Sequence, residues 1–330
     1  MPTINLTGKQ LTRRRVIAAK IEASEGSMET ITVADAGVLV INPRVDVDIR
    51  MYERTVVSGT LTPFPDIPGT LGARITFSSE LMGSPNGLVY STSNRPALDV
   101  YLRACGFTLT EPSPTTTCTY KPVSTGLESI TIWIYADGVI YKFYGCRGNV
   151  RFTGNVGEPI IAEFTFQGVY DSVVDGSLIA PSYGSTVPPT LLSAATALTV
   201  GSDTINGVMR SFETDMGNTL AMRENMSQAS GFMSCLITGR RPTGRFDPEM
   251  STISGQYDWY SAWKLGTPAA FNVGPIGATQ YNRVQITEPY IIYTKMTDAD
   301  RTGLAVVDTT YMCARSSGAG GNDEVQVIFT

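Results

Sequence analysis

The chain has 330 residues, with 25 lysines and arginines, 30 aspartates and glutamates, and no histidine. The lack of histidine excludes Ser-His-Asp and Cys-His triads and every zinc site that needs imidazole. Only 17% of the residues are charged and the net charge is −5, which excludes a protein that holds nucleic acid by neutralising phosphates. The hydrophobic fraction of 42% excludes bulk disorder, and the length suggests two domains.

The cysteine pattern and the length of the apolar runs exclude further classes of protein. The five cysteines are odd in number, scattered and without a C-x-x-C pair, so a disulfide framework and a structural zinc site are not expected. Residues 13–19 place three arginines before an apolar run that is too short for a signal peptide core. No apolar run reaches the roughly 18 residues that a membrane helix needs. We predict no cofactor, no metal and no membrane insertion.

Short alternating runs of β-branched and aromatic residues dominate the first half and predict strands. Residues 44–50 alternate strictly between charged and apolar side chains. Residues 96–106 begin near a proline and end at a glycine, which predicts a helix. The Asp137-Gly138 pair joins two apolar runs within residues 129–144, as in a tight hairpin. Residues 149–154 and 160–167 predict a second strand pair.

The second half follows a similar order. It predicts strands within residues 207–237, a loop at 239–247, a helix at 257–266 and strands at 282–287, 304–312 and 324–329. Because both halves place strands and a loop before one helix and close with strands, we interpret the chain as an internal duplication. A Gly, Ser and Pro cluster at residues 175–191 predicts the linker, which gives domains at residues 1–178 and 179–330.

Three clusters are open to a functional interpretation. Asp46 and Asp48 share one face of a strand and could hold a divalent ion, but the solvated face of an amphipathic strand is favoured. Residues 240–245 hold three arginines, which suit salt bridges to a neighbouring subunit or a solvated loop better than phosphate. The loop at residues 61–72 is stiffened by prolines and suits protein contacts, although packing on its own domain is an equal alternative.

Several runs carry a resemblance to a known family. They are residues 53–61 with the Pro-rich 63–69, residues 154–168 and residues 300–329. Together they resemble the major tail tube protein of long, non-contractile-tailed bacteriophages, in its duplicated two-domain form. The resemblance implies a mainly β chain of two tandem β-sandwich or partly open barrel domains, each with one packed α-helix. It also implies a structural protein rather than an enzyme.

The resemblance further implies an assembly. The inner sheets of neighbouring domains would join around a channel, and homotrimer rings of pseudo-sixfold symmetry would stack into a tube that conducts DNA during ejection. Other tail proteins (tape measure, terminator and distal tail) would be partners, the site would be the virion tail, and assembly would occur in the bacterial host cytoplasm.

Particular residues are expected to serve that assembly. Inter-ring contacts are expected from the N-terminal arm at residues 1–25 and from the loop at 61–72. Lumen-facing residues should be polar or acidic. The expected residues are Phe64, Ile67, Leu71, Arg13 and Arg14 between rings, Asp46 and Asp48 in the lumen, and Arg240, Arg241 and Arg245 between subunits.

Two other functions stay open on the sequence. A β-sandwich capsid-decoration protein or adhesin would share this composition but would not need duplicated halves. A glycan-active enzyme could use two carboxylates without histidine, but it would need a deep cleft that holds both.

Overall fold

A computed structural model describes residues 11–110, 116–192, 197–200, 203–205, 208–253, 257–316 and 320–330. These residues form eighteen strands and two α-helices, so the mainly β fold class is confirmed. The elements of the first half are β1 (Arg15–Ile21), β2 (Ile41–Tyr52), β3 (Ile67–Glu80), α1 (Asp99–Ala104), β4 (Phe107–Thr110), β5 (Cys118–Pro122), β6 (Ile130–Ala136), β7 (Gly138–Asn155) and β8 (Ile161–Gly176).

The second half adds the remaining elements. They are β9 (Ala197–Val200), β10 (Asp203–Ile205), β11 (Met209–Asp215), β12 (Asn218–Glu224), β13 (Phe232–Arg240), β14 (Thr243–Pro248), α2 (Trp259–Leu265), β15 (Ala269–Ile276), β16 (Val284–Arg301), β17 (Leu304–Cys313) and β18 (Gln326–Phe329).

Sixteen of the strands belong to one antiparallel sheet. Its path runs β10-β9-β15-β16-β17-β14-β11-β7-β8-β3-β2, with β6 and β1 branching from β7 and β18, β5 and β4 branching from β16. The path has two ends, so the sheet is open rather than a closed barrel. The β12–β13 hairpin is a separate two-stranded sheet.

Aromatic side chains from alternate strand positions fill the core beneath each helix. Phe77 of β3 lies 5.2 Å from the ring centroids of both Tyr101 of α1 and Phe164 of β8. Under α2, Trp259 packs 6.1 Å from Phe246 of β14. Alternation places these rings on one face of the sheet, and burying them excludes water from the helix contacts. The prediction of one packed helix for each half is therefore confirmed.

Local signals in the sequence mark several of these elements correctly. Asp137 and Gly138 have φ angles of 24° and 109°, and they join β6 to β7 as the Asp-Gly signal predicts. Asp258 caps α2 by accepting a hydrogen bond from Ser261 N at 2.9 Å, and Gly266 ends the helix with φ of 63°. The two predicted strand runs at 149–154 and 160–167 pair within the longer β7 and β8.

Two predicted loops are wrong in part. Residues 67–72 of the predicted loop at 61–72 belong to β3, where they pair with β2. Residues 243–247 of the predicted loop at 239–247 lie in β14. Gly244 serves a close approach rather than a turn, since a Cβ there would lie 2.3 Å from the hydroxyl oxygen of Tyr311. Glycine and proline therefore mark strand positions here as well as turns.

The core of the second half buries the carboxyl group of Glu288 completely, and this predicts a pH dependence. Burial raises the pKa of Glu288 to about 7, although Thr214 donates a hydrogen bond to it at 2.5 Å. The folded state therefore binds this proton more tightly than the unfolded chain, and the free energy of unfolding falls as pH rises from about 4.5 to 7.

Glu288→Gln should abolish this pH-dependent loss. Urea unfolding should give similar stabilities at pH 5, and the variant should be more stable at pH 8 by up to about 3 kcal/mol. Glu53→Gln on an exposed segment is the control and should change neither value. A variant that is as unstable as the wild type at pH 8 would contradict the assigned cost of burying this charge.

Candidate assembly surface

The end strand β2 lies on β3 in a defined register. Val45 faces Ile75 and Asp46 faces Arg74. Ile75 is buried and Val45 packs against the core, whereas Asp46 and Arg74 are exposed on the opposite face. The strict alternation of residues 44–50 produces this division, because successive side chains of a strand point to opposite faces.

Strand β11 lies on β14 in the same arrangement. Phe212 faces Phe246 among the buried residues, and Glu213 faces Arg245 on the polar face. In each pair, the acid of the outer strand (β2 or β11) therefore faces the arginine of the inner strand (β3 or β14). The pairs β2–β3 and β11–β14 match in position, direction and face.

The match continues through the next two strands. β3 pairs with β8 and β8 with β7, while β14 pairs with β17 and β17 with β16. β7 has a register shift between Tyr144 and Arg147, and β16 has one between Tyr293 and Lys295. We call the two sets of strands the first module (β2, β3, β8, β7) and the second module (β11, β14, β17, β16).

The two modules meet at one strand pair, which we call the module junction. The last residues of β7 pair with β11, from Arg151 opposite Asp215 to Asn155 opposite Ser211. Beyond the ladder, Met216 N donates to the carbonyl oxygen of Val150 at 3.1 Å. This junction makes the polar faces of both modules continuous.

At the two outer limits of this set of strands, edges are open. In the described part of the chain, β2 pairs with β3 alone. Likewise, residues 296–301 of β16 pair with β17 on one side and with no described strand on the other. Of these, residues 299–301 hold the position in the second module that residues 151–153 of β7 hold at the junction.

Charged side chains of both signs follow one another across the polar face at the junction. Arg151 of β7 forms ion pairs with Glu163 of β8 and, at 3.3 Å, with Glu213 of β11. Glu213 also lies 3.1 Å from Arg245 of β14. Because both Arg151 and Arg245 face carboxylates, this part of the face carries little net positive charge.

The predicted lumen and intersubunit residues lie on different parts of this surface. Asp46 and Asp48 are exposed on the polar face of β2, with Asp46 beside Arg74. Arg245 forms its ion pair with Glu213 at the junction, and Arg241 is exposed between β13 and β14. Arg240 contacts its own chain: it forms an ion pair with Glu324 at 3.1 Å and donates to the carbonyl oxygen of Val123.

The predicted inter-ring residues are also dispersed. Phe64 is 39% exposed beneath the guanidinium group of Arg54, and Ile67 is exposed at the start of β3. Leu71 donates its backbone N–H to the carbonyl oxygen of Ser230 at 2.9 Å within the chain. Arg13 is exposed, and Arg14 forms an ion pair with Asp137 at 2.8 Å. Residues 1–10 of the predicted arm lie outside the described residues.

The β12–β13 hairpin of the second half lies on the register shift of β7, and Arg147 holds it there. Nη1 of Arg147 donates to the carbonyl oxygen of Cys235 at 2.5 Å and to Glu25 at 3.0 Å, and Nη2 donates to Leu127 O at 2.7 Å. Partial burial opposes ionisation of Glu25, yet hydrogen bonds from Ser234 and Arg147 hold its pKa below the usual value. Arg147 was not singled out from the sequence, because no local pattern marks a buried arginine whose partners are distant in the chain.

Arg147→Met should therefore weaken the attachment of the hairpin. The buried carbonyl oxygens and Glu25 would lose their donor, so urea unfolding should show a loss of about 3 kcal/mol. Arg245→Met is the control: its side chain is 72% exposed, and the expected loss is about 1 kcal/mol or less. Equal losses in the two variants would contradict the anchoring role of Arg147.

A glycan-active enzyme would need a cleft that holds two carboxylates, and a concavity beside α1 contains two acidic residues. It is lined by Asp35 and Asp99, among other residues. Asp35 accepts hydrogen bonds from the backbone and side chain of Thr32, and Asp99 accepts one from Tyr120 at 2.8 Å. Both acids therefore have structural partners. Among the described residues, no group of three or more metal-ligating side chains could hold an ion.

The fold defines a mainly β protein built on one open sheet with a polar, charge-balanced face. The family model described as "Phage tail tube protein" matches residues 12–325, and the chain belongs to this family of structural proteins of the virion tail. In a comparison with curated proteins, none matches the chain at a significant level. No helix within the described ranges has the length and apolar character needed to span a membrane.

Proposed function

We propose that this chain polymerises as stacked rings into the tube of a phage tail, the conduit for DNA ejection. The observation that carries the proposal is the module junction, with matching open edges at β2 and at residues 296–301 of β16. The two modules represent an internal duplication, with domains at residues 1–178 and 179–330. Membership of the tail tube family supports this assembly over a capsid-decoration protein or an adhesin.

The ring contact repeats the module junction between chains. With equivalent registers, β2 of one chain pairs with residues 296–301 of β16 in its neighbour, and Asp46 lies opposite Arg301. Different surfaces meet in such a contact, and it closes a ring when the rotation between subunits divides a full turn. Pairing also covers the backbone groups of edge strands that would otherwise promote aggregation.

Three chains would supply six modules, which is the basis for a homotrimer ring with pseudo-sixfold symmetry. The polar face of the joined sheets lines the channel, and Asp46, Asp48 and the paired Arg151 belong to that lining. Because Arg151 and Arg245 are already paired with carboxylates, and Asp46 and Asp48 add negative charge, this face does not hold the phosphates of passing DNA.

Axial contacts stack the rings. The exposed Arg13 and the neighbouring Arg14 remain our proposed contributors, together with the N-terminal arm. Leu71 and Ile67 lie in β3 at the end of the β2–β3 pair, where they border the next ring or the next chain. Assembly takes place in the host cytoplasm with the tape measure, terminator and distal tail proteins as further partners.

The edge of β2 offers a direct test. The backbone N–H of Met216 points toward β7. Because alternate N–H groups of a strand point to the same side, the N–H of Thr214 also points toward β7. Val47 faces Ala73 as Thr214 faces Gly244. The N–H of Val47 therefore faces the open edge, where proline is tolerated within the monomer.

Val47→Pro should leave the unfolding midpoint of the monomer nearly unchanged and should prevent the assembly of rings. The substitution removes one hydrogen bond between the chains, and the pyrrolidine group of proline blocks the approach of the neighbouring strand. Val47→Thr is the matched control: it keeps the N–H and the shape, and it should assemble. Sedimentation velocity and negative-stain electron microscopy measure both results. Rings of Val47→Pro as abundant as those of the wild type would contradict the proposed edge.

A further inference from the structure

The connection between β2 and β3, residues 53–66, holds the same place in the first module as the β12–β13 hairpin holds in the second. Each leads from the outer strand of its module to the inner one. The hairpin crosses the module junction and lies on the first module. By the same arrangement, residues 53–66 would lie on the module next to their own outer strand. In the proposed ring, that module belongs to the neighbouring chain.

The hairpin covers a specific surface of the first module. Ile237 Cδ1 would lie 3.3 Å from a Cβ placed on Gly106, the residue that follows the C-terminal turn of α1. Ser230 lies 3.3 Å from the hydroxyl group of Tyr144, which pairs with the fully buried Val169. The covered surface thus comprises the end of α1 and the β7 register shift.

The equivalent surface of the second module is uncovered. A Cβ placed on Gly266, at the end of α2, would meet no described atom within 4 Å, and Leu265 beside it is 77% exposed. The pair of Ile292 and Met312 in the second module corresponds to the pair of Tyr144 and Val169 in the first. Ile292 and Met312 are only half-buried, whereas Val169 is fully buried. The same fold therefore presents an apolar surface that lacks its cover.

The connection has the side chains to supply that cover. Val56, Val57 and Leu61 are 51%, 102% and 105% exposed, so two of them have essentially no contact with their own chain. An exposed apolar group of this kind marks a contact surface when a matching apolar surface is available. The two surfaces lie on opposite sides of the proposed ring contact.

Charge complementarity favours the same pairing. Lys295 occupies the place in β16 that Arg147 occupies in β7, and it is exposed. Among the described residues, no carboxylate lies within ion-pair distance of Lys295. The connection carries Glu53 at its start and Asp66 at its end, while its one base, Arg54, packs on Phe64 of the same segment, so the connection is net acidic.

We infer that residues 53–66 of one chain lie across the end of α2 and the β16 register shift of the neighbouring chain in the same ring, as the β12–β13 hairpin lies on the first module. The inference rests on the proposed ring and names the second contact that seals it. It assigns Phe64 to a contact within the ring rather than between rings.

The variant Val57→Asp/Leu61→Asp tests the apolar contact. Both side chains are exposed in the monomer, so its unfolding midpoint should not change, while the ring fraction in sedimentation velocity should fall about tenfold or more. Val187→Asp is the matched control, since Val187 is 75% exposed outside the proposed contact, and it should form rings.

A zero-length carbodiimide cross-link tests the location. In rings made from mixed ¹⁵N-labelled and unlabelled chains, mass spectrometry should find Lys295 joined to Glu53 or Asp66 of a different chain. Rings of the double variant at wild-type levels, or wild-type rings without this cross-link, would overturn the inference and leave the ring proposal standing. A wild-type protein that forms no rings would overturn both.

Discussion

The backbone N–H and C=O groups along an open strand edge are the constraint on which the rest of this structure depends. Such groups bind another strand unless something covers them. Within the chain, the edge of β7 is satisfied by β11, and the polar faces of the two modules become one surface. The equivalent edge of β16 and the far edge of β2 stay open in the described chain. The one heterologous contact that we propose between copies would satisfy both.

The remaining features follow from joining modules side by side. Each helix covers the aromatic face of its own module, so the opposite face is left for charged side chains such as Arg151 and Glu213. The β12–β13 hairpin of the second module lies on the first module and stabilises the junction, with Arg147 as its buried anchor. Residues 53–66 are the shorter counterpart in the first module, which we propose to lie on a neighbouring chain.

Features encoded by neighbouring residues could be predicted from the sequence. The Asp137-Gly138 turn, the caps of α2 and the alternation in β2 each depend on a few adjacent residues, and all agree with the structure. The β7–β11 pairing could not be predicted, because a strand's sequence does not specify which distant edge it joins. Gly244 misled for the same reason: its close approach to Tyr311 is tertiary, although glycine locally suggests a turn.

A cryo-electron microscopy reconstruction of rings or tubes assembled from the purified chain tests the central claim most directly. The account predicts a threefold ring of six similar modules around a central channel. It also predicts continuous sheet density in which β2 of each chain lies beside residues 296–301 of the next, with the polar face toward the channel. A ring whose subunits meet through other strands, or a channel lined by unpaired basic side chains, would contradict it.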